Sequence, residues 1–121
     1  MKKSILVVDD SLSIREVVGE MLEKNNFNVY KAIDGKDALS FLDGREIHII
    51  LTDLHMPVMN GLELIKEVRK TKKYKHIPIL FLTTETKKER KLEAKNAGAT
   101  GWLIKPFDGD KLIKTIKRVL R

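Results

Sequence analysis

Residues 5–11 read ILVVDDS. Four apolar residues, Ile5 to Val8, stop abruptly at Asp9 and Asp10. A short, continuous, β-branched run is the pattern of a strand buried on both faces. Adjacent carboxylates repel each other, and ending a strand requires neither. The stretch therefore raises two questions: what covers both faces of the strand, and what calls for two negative charges at its end.

Outward from this stretch the same unit recurs. Ser11 or Ser13 is placed to cap a helix in which Ile14, Val17, Val18, Met21 and Leu22 share one face, and Asn25-Asn26 ends it. Residues 28–33 form a second strand and Asp34-Gly35 a turn; a short helix with Ala38, Leu39 and Leu42 inward then runs to Asp43-Gly44. Residues 47–52 form a third strand, which ends in Asp53 before the loop HMPVMNG. Leu64, Ile65 and Val68 mark the third helix, and residues 78–82 the fourth strand, followed by Thr83-Thr84. A very polar helix covers 85–97, with Leu92 its only large apolar residue. Residues 102–104 form a fifth strand ending at Lys105-Pro106, and Leu112, Ile113, Ile116, Val119 and Leu120 stripe a last helix.

Five strand–helix units with apolar strands predict an α/β fold: a doubly wound five-stranded parallel sheet with five helices. Ligands in such sheets sit beyond the carboxyl ends of the strands, where the strand order reverses. Asp9, Asp10, Asp53, Thr83 and Lys105 all fall on that edge. If strands one and three are neighbours, three carboxylates converge, and they need a counter-charge. An oxygen ligand set without cysteine or clustered histidine favours Mg²⁺, or Mn²⁺, over zinc. Mg²⁺ pairs one or two carboxylates with phosphate oxygens, so the site suits a phosphoryl group. Lys105 supplies a point charge, Thr83 a hydroxyl, and a carboxylate can act as nucleophile to form an aspartyl phosphate.

Composition narrows the classes. The 121 residues are 42% apolar and 34% charged, which fits one folded domain, residues 1–121, with no membrane insertion. There are no cysteines, hence no disulfide framework. The N-terminus enters its first strand too soon for a signal peptide, so a cytoplasmic, unprocessed chain is expected. The net charge of +7 suits nucleic acid, an acidic partner or solubility alone. No nucleic-acid-reading module is recognisable, so no nucleic acid is expected as partner. The basic runs KTKKYKH (70–76) and KKERK (87–91) read as solvated faces, the second on a thinly anchored helix that suits an element that shifts. His48, His55 and His76 stand at no ligand spacing, and their imidazoles read as ordinary surface groups.

VVDDS, LTDLHMPVMNG, FLTTE and AGATGWLIKPF, in this order and spacing, resemble the receiver domain of bacterial two-component response regulators along essentially the whole chain. The resemblance implies a flavodoxin-like strand order, 2-1-3-4-5. It implies that Asp53 is the phosphoacceptor. Asp10 and Asp53 match direct metal ligands, Asp9 an acidic partner acting mainly through water, and His55 a ligand through its backbone carbonyl. Thr83 matches the switch hydroxyl, Lys105 the phosphoryl-sensing lysine, and Trp102 the aromatic that swings inward. The bond before Pro106 is a cis-peptide candidate. Three positions depart from the pattern. Asn60 stands where Asp is common, Thr84 where a small residue leaves access for the donor, and Trp102 where Tyr is usual.

The resemblance further implies a histidine kinase as donor and a monomer that switches a protein-binding surface on its fourth helix and fifth strand. It is nearest to stand-alone chemotaxis regulators, whose downstream target is the flagellar motor switch. A phosphorelay intermediate or phosphate sink is the alternative. With no room for an output domain, the chain is expected to be a signalling switch, and no enzyme beyond its own phosphorylation and dephosphorylation. An Asp-nucleophile phosphatase of the haloacid-dehalogenase type carries Asp-x-Asp after its first strand, where this chain reads Asp9-Asp10-Ser11, and no lid insertion is present. A flavin module would need a Gly/Ser/Thr-rich phosphate cradle in the place where the two carboxylates stand.

Overall fold

A computed structural model of the chain describes residues 2–120; Met1 and Arg121, the ends of the expected single-domain span, lie outside the described residues. Five parallel strands, β1 (Ser4–Val8), β2 (Asn28–Ala32), β3 (Ile49–Thr52), β4 (Ile79–Thr83) and β5 (Gly101–Ile104), alternate with five helices. The helices are α1 (Leu12–Lys24), α2 (Gly35–Leu39), α3 (Gly61–Lys70), α4 (Lys88–Ala97) and α5 (Gly109–Val119). The strand order is β2-β1-β3-β4-β5, the flavodoxin-like arrangement expected. None of the described helices is long and apolar enough to cross a membrane.

The apolar run of β1 is explained by two cores. Successive side chains of a strand point to opposite faces. Ile5 and Val7 meet Val18 and Leu22 of α1 and Leu112, Ile113 and Ile116 of α5. Leu6 and Val8 meet Ala38 of α2, Leu64, Ile65 and Val68 of α3, and Ala94 of α4. Neither face of β1 reaches water, so no polar residue alternates along it. The register pairs Val8 with Thr52, so β1 and β3 end level. The Asp53 N–H donates to the Val8 carbonyl at 3.0 Å, which sets Asp53 beside Asp9.

Several boundaries differ from the sequence reading, each for a local reason. Val17 is 56% exposed; the inward face of α1 runs through Val18, Gly19 and Leu22. Glycine gives no hydropathy signal, yet here it lets the Lys31 stem cross the helix, since a Cβ on Gly19 would stand 2.7 Å from Lys31 Cε. The second helix stops at Leu39, with Leu42 half-buried in the turns that follow. Ile33 lies beyond β2 and is exposed, while Thr83 belongs to β4. The fourth helix begins at Lys88 and not at residue 85, and it buries Ala94 while Leu92 is exposed. Within the basic run 70–76, Tyr74 is buried, its hydroxyl donating to the Arg45 carbonyl at 2.8 Å and accepting from the Gly44 N–H at 2.9 Å. The lysines and His76 around it form the solvated face.

The helices differ in how firmly they are held. Asn60 and Glu63 form a reciprocal capping box on α3, Ser11 caps α1 and Asp108 caps α5. No side chain caps α4 at Lys87, and Ala94 is its only buried residue, so α4 is the least anchored of the five.

Val58 carries φ +70° and is 75% exposed. A β-branched residue crowds its own carbonyl in this left-handed region, at roughly 1–2 kcal/mol. Asn tolerates the conformation better. Val58→Asn is therefore expected to raise stability by about 1 kcal/mol, read as a higher urea midpoint at unchanged slope. A lower midpoint would mean that the Val58 side chain makes a stabilising contact.

Candidate functional site

The site lies where the order reverses between β1 and β3. Asp9 follows β1, and its side chain is 3% exposed. Its Oδ1 accepts the Ser11 N–H at 2.9 Å, and its backbone carbonyl accepts from Arg15 Nη1 at 2.6 Å. Asp53 follows β3 and accepts the Leu54 N–H on Oδ1 at 2.7 Å. Oxygens of Asp9, Asp10 and Asp53 lie within 4.8 Å of one another.

Lys105 reaches in from the end of β5. Its ammonium donates to Asp9 Oδ2 at 2.7 Å and to Asp53 Oδ2 at 3.1 Å. Burial pulls this ammonium toward the neutral form, but the hydrogen bonds it donates to Asp9 and Asp53, with their charge, outweigh it, and its pKa stands raised. Lys105 is charged, and it is the one cation in direct contact with the carboxylates among the described residues. Three carboxylates facing one ammonium leave room for a further cation. The donor set, all carboxylate oxygen on the open side, fits a hard divalent ion such as Mg²⁺. Asp10, exposed beside its buried neighbour, supplies the solvent-facing oxygen.

Thr83 ends β4 and is fully buried, its Oγ1 accepting the Glu85 N–H at 3.2 Å. Trp102 sits half-buried on β5, its ring 5.3 Å from that of Phe81, its indole Nε1–H donating to the Glu85 carbonyl at 3.2 Å. The bond between Lys105 and Pro106 is cis. Thr84 is exposed at the rim, and Asn60 is occupied in capping α3. The structure thus brings Asp9, Asp10, Asp53 and Lys105 together, with Thr83 on the adjoining strand and Trp102 one contact further out.

The sequence reading missed two features. The His55 imidazole is no isolated surface group, because its Nε2 meets Glu85 Oε1 at 2.8 Å. That bond, with the Lys87 N–H, holds the Glu85 carboxyl below its usual range. A signal was present: His55 stands two residues past Asp53 and Glu85 two past Thr83, in the loops that follow the neighbouring parallel strands β3 and β4. His48 is also half-buried, its Nδ1 accepting the Ser4 N–H at 2.9 Å at the entry to β1. His76 is exposed, as expected.

A parallel sheet in this order, with an acidic triad at its switch point and a lysine bridging it, defines a class. The chain belongs to the response regulator receiver domain family, whose model matches residues 5–117. Within that family it is closely similar to chemotaxis regulators. It is 36% identical over 116 residues to the chemotaxis protein CheY-3 of Vibrio cholerae, covering 95% of this chain and 89% of that one. It is 38% identical over 118 residues to the CheY homolog of Campylobacter jejuni, covering 96% and 91%. Of solved structures, the chemotaxis response regulator CheY4 of Vibrio cholerae superimposes with a TM-score of 0.93 at 47% identity, covering 99% of this chain and all of that one. A CheY-like receiver from Methanospirillum hungatei gives 0.92 at 27% identity, covering 99% and 94%.

Proposed function

We propose that this protein is a single-domain signalling switch whose Asp53 accepts a phosphoryl group from a histidine kinase. The observation that carries the reading is Lys105 bridging Asp9 and Asp53 while the Thr83 hydroxyl waits on the next strand. Asp9, Asp10, Asp53 and the His55 carbonyl would hold Mg²⁺, which supplies charge neutralisation for the phosphoryl oxygens. An Asp53 carboxylate oxygen attacks phosphorus, the bond from phosphorus to the donor's histidine nitrogen breaks, and the imidazole leaves with that electron pair. Lys105 exchanges its contact with Asp53 for one to the phosphoryl group. Thr83 exchanges the Glu85 N–H for the same group and donates to it.

The output follows from how α4 is held. The Thr83 exchange loosens the turn before an uncapped helix that buries one residue. A groove of about 360 Å³ between α4 and β5 is lined by Lys91, Leu92, Lys95 and Trp102, so movement of Trp102 reshapes the face a partner meets. The named relatives are chemotaxis proteins. We therefore assign this chain to chemotaxis, as a cytoplasmic monomer whose target is a protein of the flagellar motor switch. Turnover is confined to its own acyl phosphate.

The test is intact mass after incubation with acetyl phosphate, with and without Mg²⁺. Wild type is expected to gain one phosphoryl group only with Mg²⁺, and Asp53→Asn none. No gain in folded wild type would make the chain a phosphate-independent binding module.

A further inference from the structure

The basic run 70–76 has no part in the reading above, yet the structure mounts it firmly. A block of like charge is ordinarily a loose, solvated segment. Here Lys72–Tyr74 form a single 3₁₀ turn after α3. Tyr74 is buried beneath that turn and bonded to Gly44 and Arg45 of the loop alongside. Arg69 Nη1 donates to the Lys75 carbonyl at 3.2 Å and to the Ile77 carbonyl at 2.7 Å, which ties the segment down from its other end. Lys72, Lys73, Lys75 and His76 therefore project into solvent from a fixed frame.

The frame borders a groove of about 390 Å³ at the edge of the sheet where the strands begin, opposite the edge that holds Asp53. Ile47, Ile77 and Pro78 give the groove an apolar floor, and Lys72, Lys73 and His76 give it a cationic rim. We propose that this groove docks an acidic peptide segment of a partner protein, one that carries an apolar side chain between carboxylates.

Charge complementarity selects this occupant. Glu67 pairs with Lys70 at 3.2 Å and Glu46 with Lys73 at 3.6 Å, whereas Lys72 and Lys75 pair with no acid among the described residues. Lys2 and Lys3, both exposed, enter the sheet at the same edge, where the Ser4 carbonyl accepts the His48 N–H at 2.8 Å. Lysines in the last turn of a helix answer its macrodipole. That role accounts for Lys70 alone, because Lys72, Lys73 and Lys75 lie beyond the end of α3. Single-stranded nucleic acid calls for aromatic faces on which bases stack, and the one tyrosine of this run is buried. A membrane-surface patch gains from apolar side chains that project and insert, and here Ile47 is only 4% exposed at the groove floor. An acidic peptide uses both parts at once: its apolar side chain meets the floor while its carboxylates meet Lys72 and Lys75. Because Asp53 and Lys105 lie at the far ends of their strands, an occupied groove leaves the acceptor open.

The probe is a capped synthetic peptide of two glutamates, a leucine and two more glutamates, titrated into isotope-labelled protein at low salt and followed by amide NMR shifts. Shifts are expected at residues 46–48 and 72–78. The double variant Lys72→Glu, Lys75→Glu is expected to bind about tenfold more weakly or worse, with its acetyl phosphate rate unchanged. Replacing the peptide's leucine by serine is expected to weaken binding about threefold or more. A second double variant, Lys88→Glu with Lys91→Glu on α4, makes the same change in net charge and is expected to bind as wild type. Absence of shifts at millimolar peptide would overturn the proposal. Equal losses in the two double variants would also overturn it, since net charge and not the groove would then hold the peptide. Full affinity for the serine peptide would remove the apolar floor from the site and overturn it likewise. Tighter binding of a DNA duplex or of phosphatidylserine vesicles through the same residues would overturn it in favour of a surface for that polyanion.

Discussion

Lys105→Met is expected to lower the stability of the metal-free protein by about 3–5 kcal/mol, the usual loss when one partner of a buried ion pair is removed. The ammonium is 2.7 Å from Asp9 and 3.1 Å from Asp53, with side-chain exposures of 13%, 3% and 13% for Lys105, Asp9 and Asp53. Solvent therefore screens the contacts weakly. Methionine keeps most of the stem and none of the charge, so the loss is electrostatic and not a cavity. The carboxylates are left facing one another. The second half of the expectation concerns Mg²⁺. A cation that binds the folded state alone stabilises it by mass action. Without Lys105 the same carboxylates present a stronger field, so millimolar Mg²⁺ will raise the variant's urea midpoint more than that of wild type. Urea unfolding in EDTA and in Mg²⁺, on both proteins, checks both halves. A variant as stable as wild type in EDTA would mean that Lys105 is not the counter-charge that keeps Asp9 buried.

The sequence carried the sheet well because the sheet's logic is periodic. β1, β3 and β4 are buried on both faces and therefore continuously apolar, and such runs cannot be placed on a surface. The charged site was legible for the same reason: Asp9, Asp53 and Lys105 each follow directly on a strand, so topology alone brings them to one edge. The strand order came from the family resemblance, because strand periodicity is silent on which strands are neighbours.

What periodicity could not give lay in residues whose role is not hydropathic. Gly19 holds the face that Val17 was expected to share, because a glycine makes room and carries no apolar signal. Tyr74 sits in a run of lysines and is buried by virtue of a hydroxyl that finds two backbone partners. Lys88, and not residue 85, starts α4 because the Glu85 carboxylate takes the N–H groups of Thr86 and Lys87 into a turn. The same carboxylate hid the His55 contact, since the two residues are thirty positions apart. Side chains that bond to the main chain, or across two loops, leave no pattern in composition or spacing.

Gly61→Ala tests how closely the third helix is built onto the acceptor. Gly61 opens α3, and its N–H donates to the Leu54 carbonyl at 2.8 Å. A Cβ there would stand 2.3 Å from the Asp53 carbonyl oxygen, 2.6 Å from Phe81 Cε1 and 3.1 Å from Leu54 Cα. Two of the three are main-chain atoms of the acceptor's own peptide, and the third belongs to a fully buried ring that packs against Trp102. No rotamer relieves the clash, so the helix end or the Asp53 peptide moves. Overpacking of this kind costs about 3 kcal/mol or somewhat more. Displacement of the acceptor by a fraction of an ångström adds a kinetic penalty, on the order of a hundredfold in phosphorylation rate, because in-line transfer depends on position. Gly44→Ala is the internal control. It has open space around its Cβ but φ +105°, so it is expected to cost only about 1 kcal/mol of strain and nothing in phosphorylation rate. Denaturation midpoints and acetyl phosphate rates on both variants separate the two effects. A Gly61→Ala protein that phosphorylates at the wild-type rate would mean that the helix end yields and the acceptor does not. The rigidity of the site would then reside in β3 and the Val8 carbonyl that holds the Asp53 N–H, and not in the helix packed beneath it.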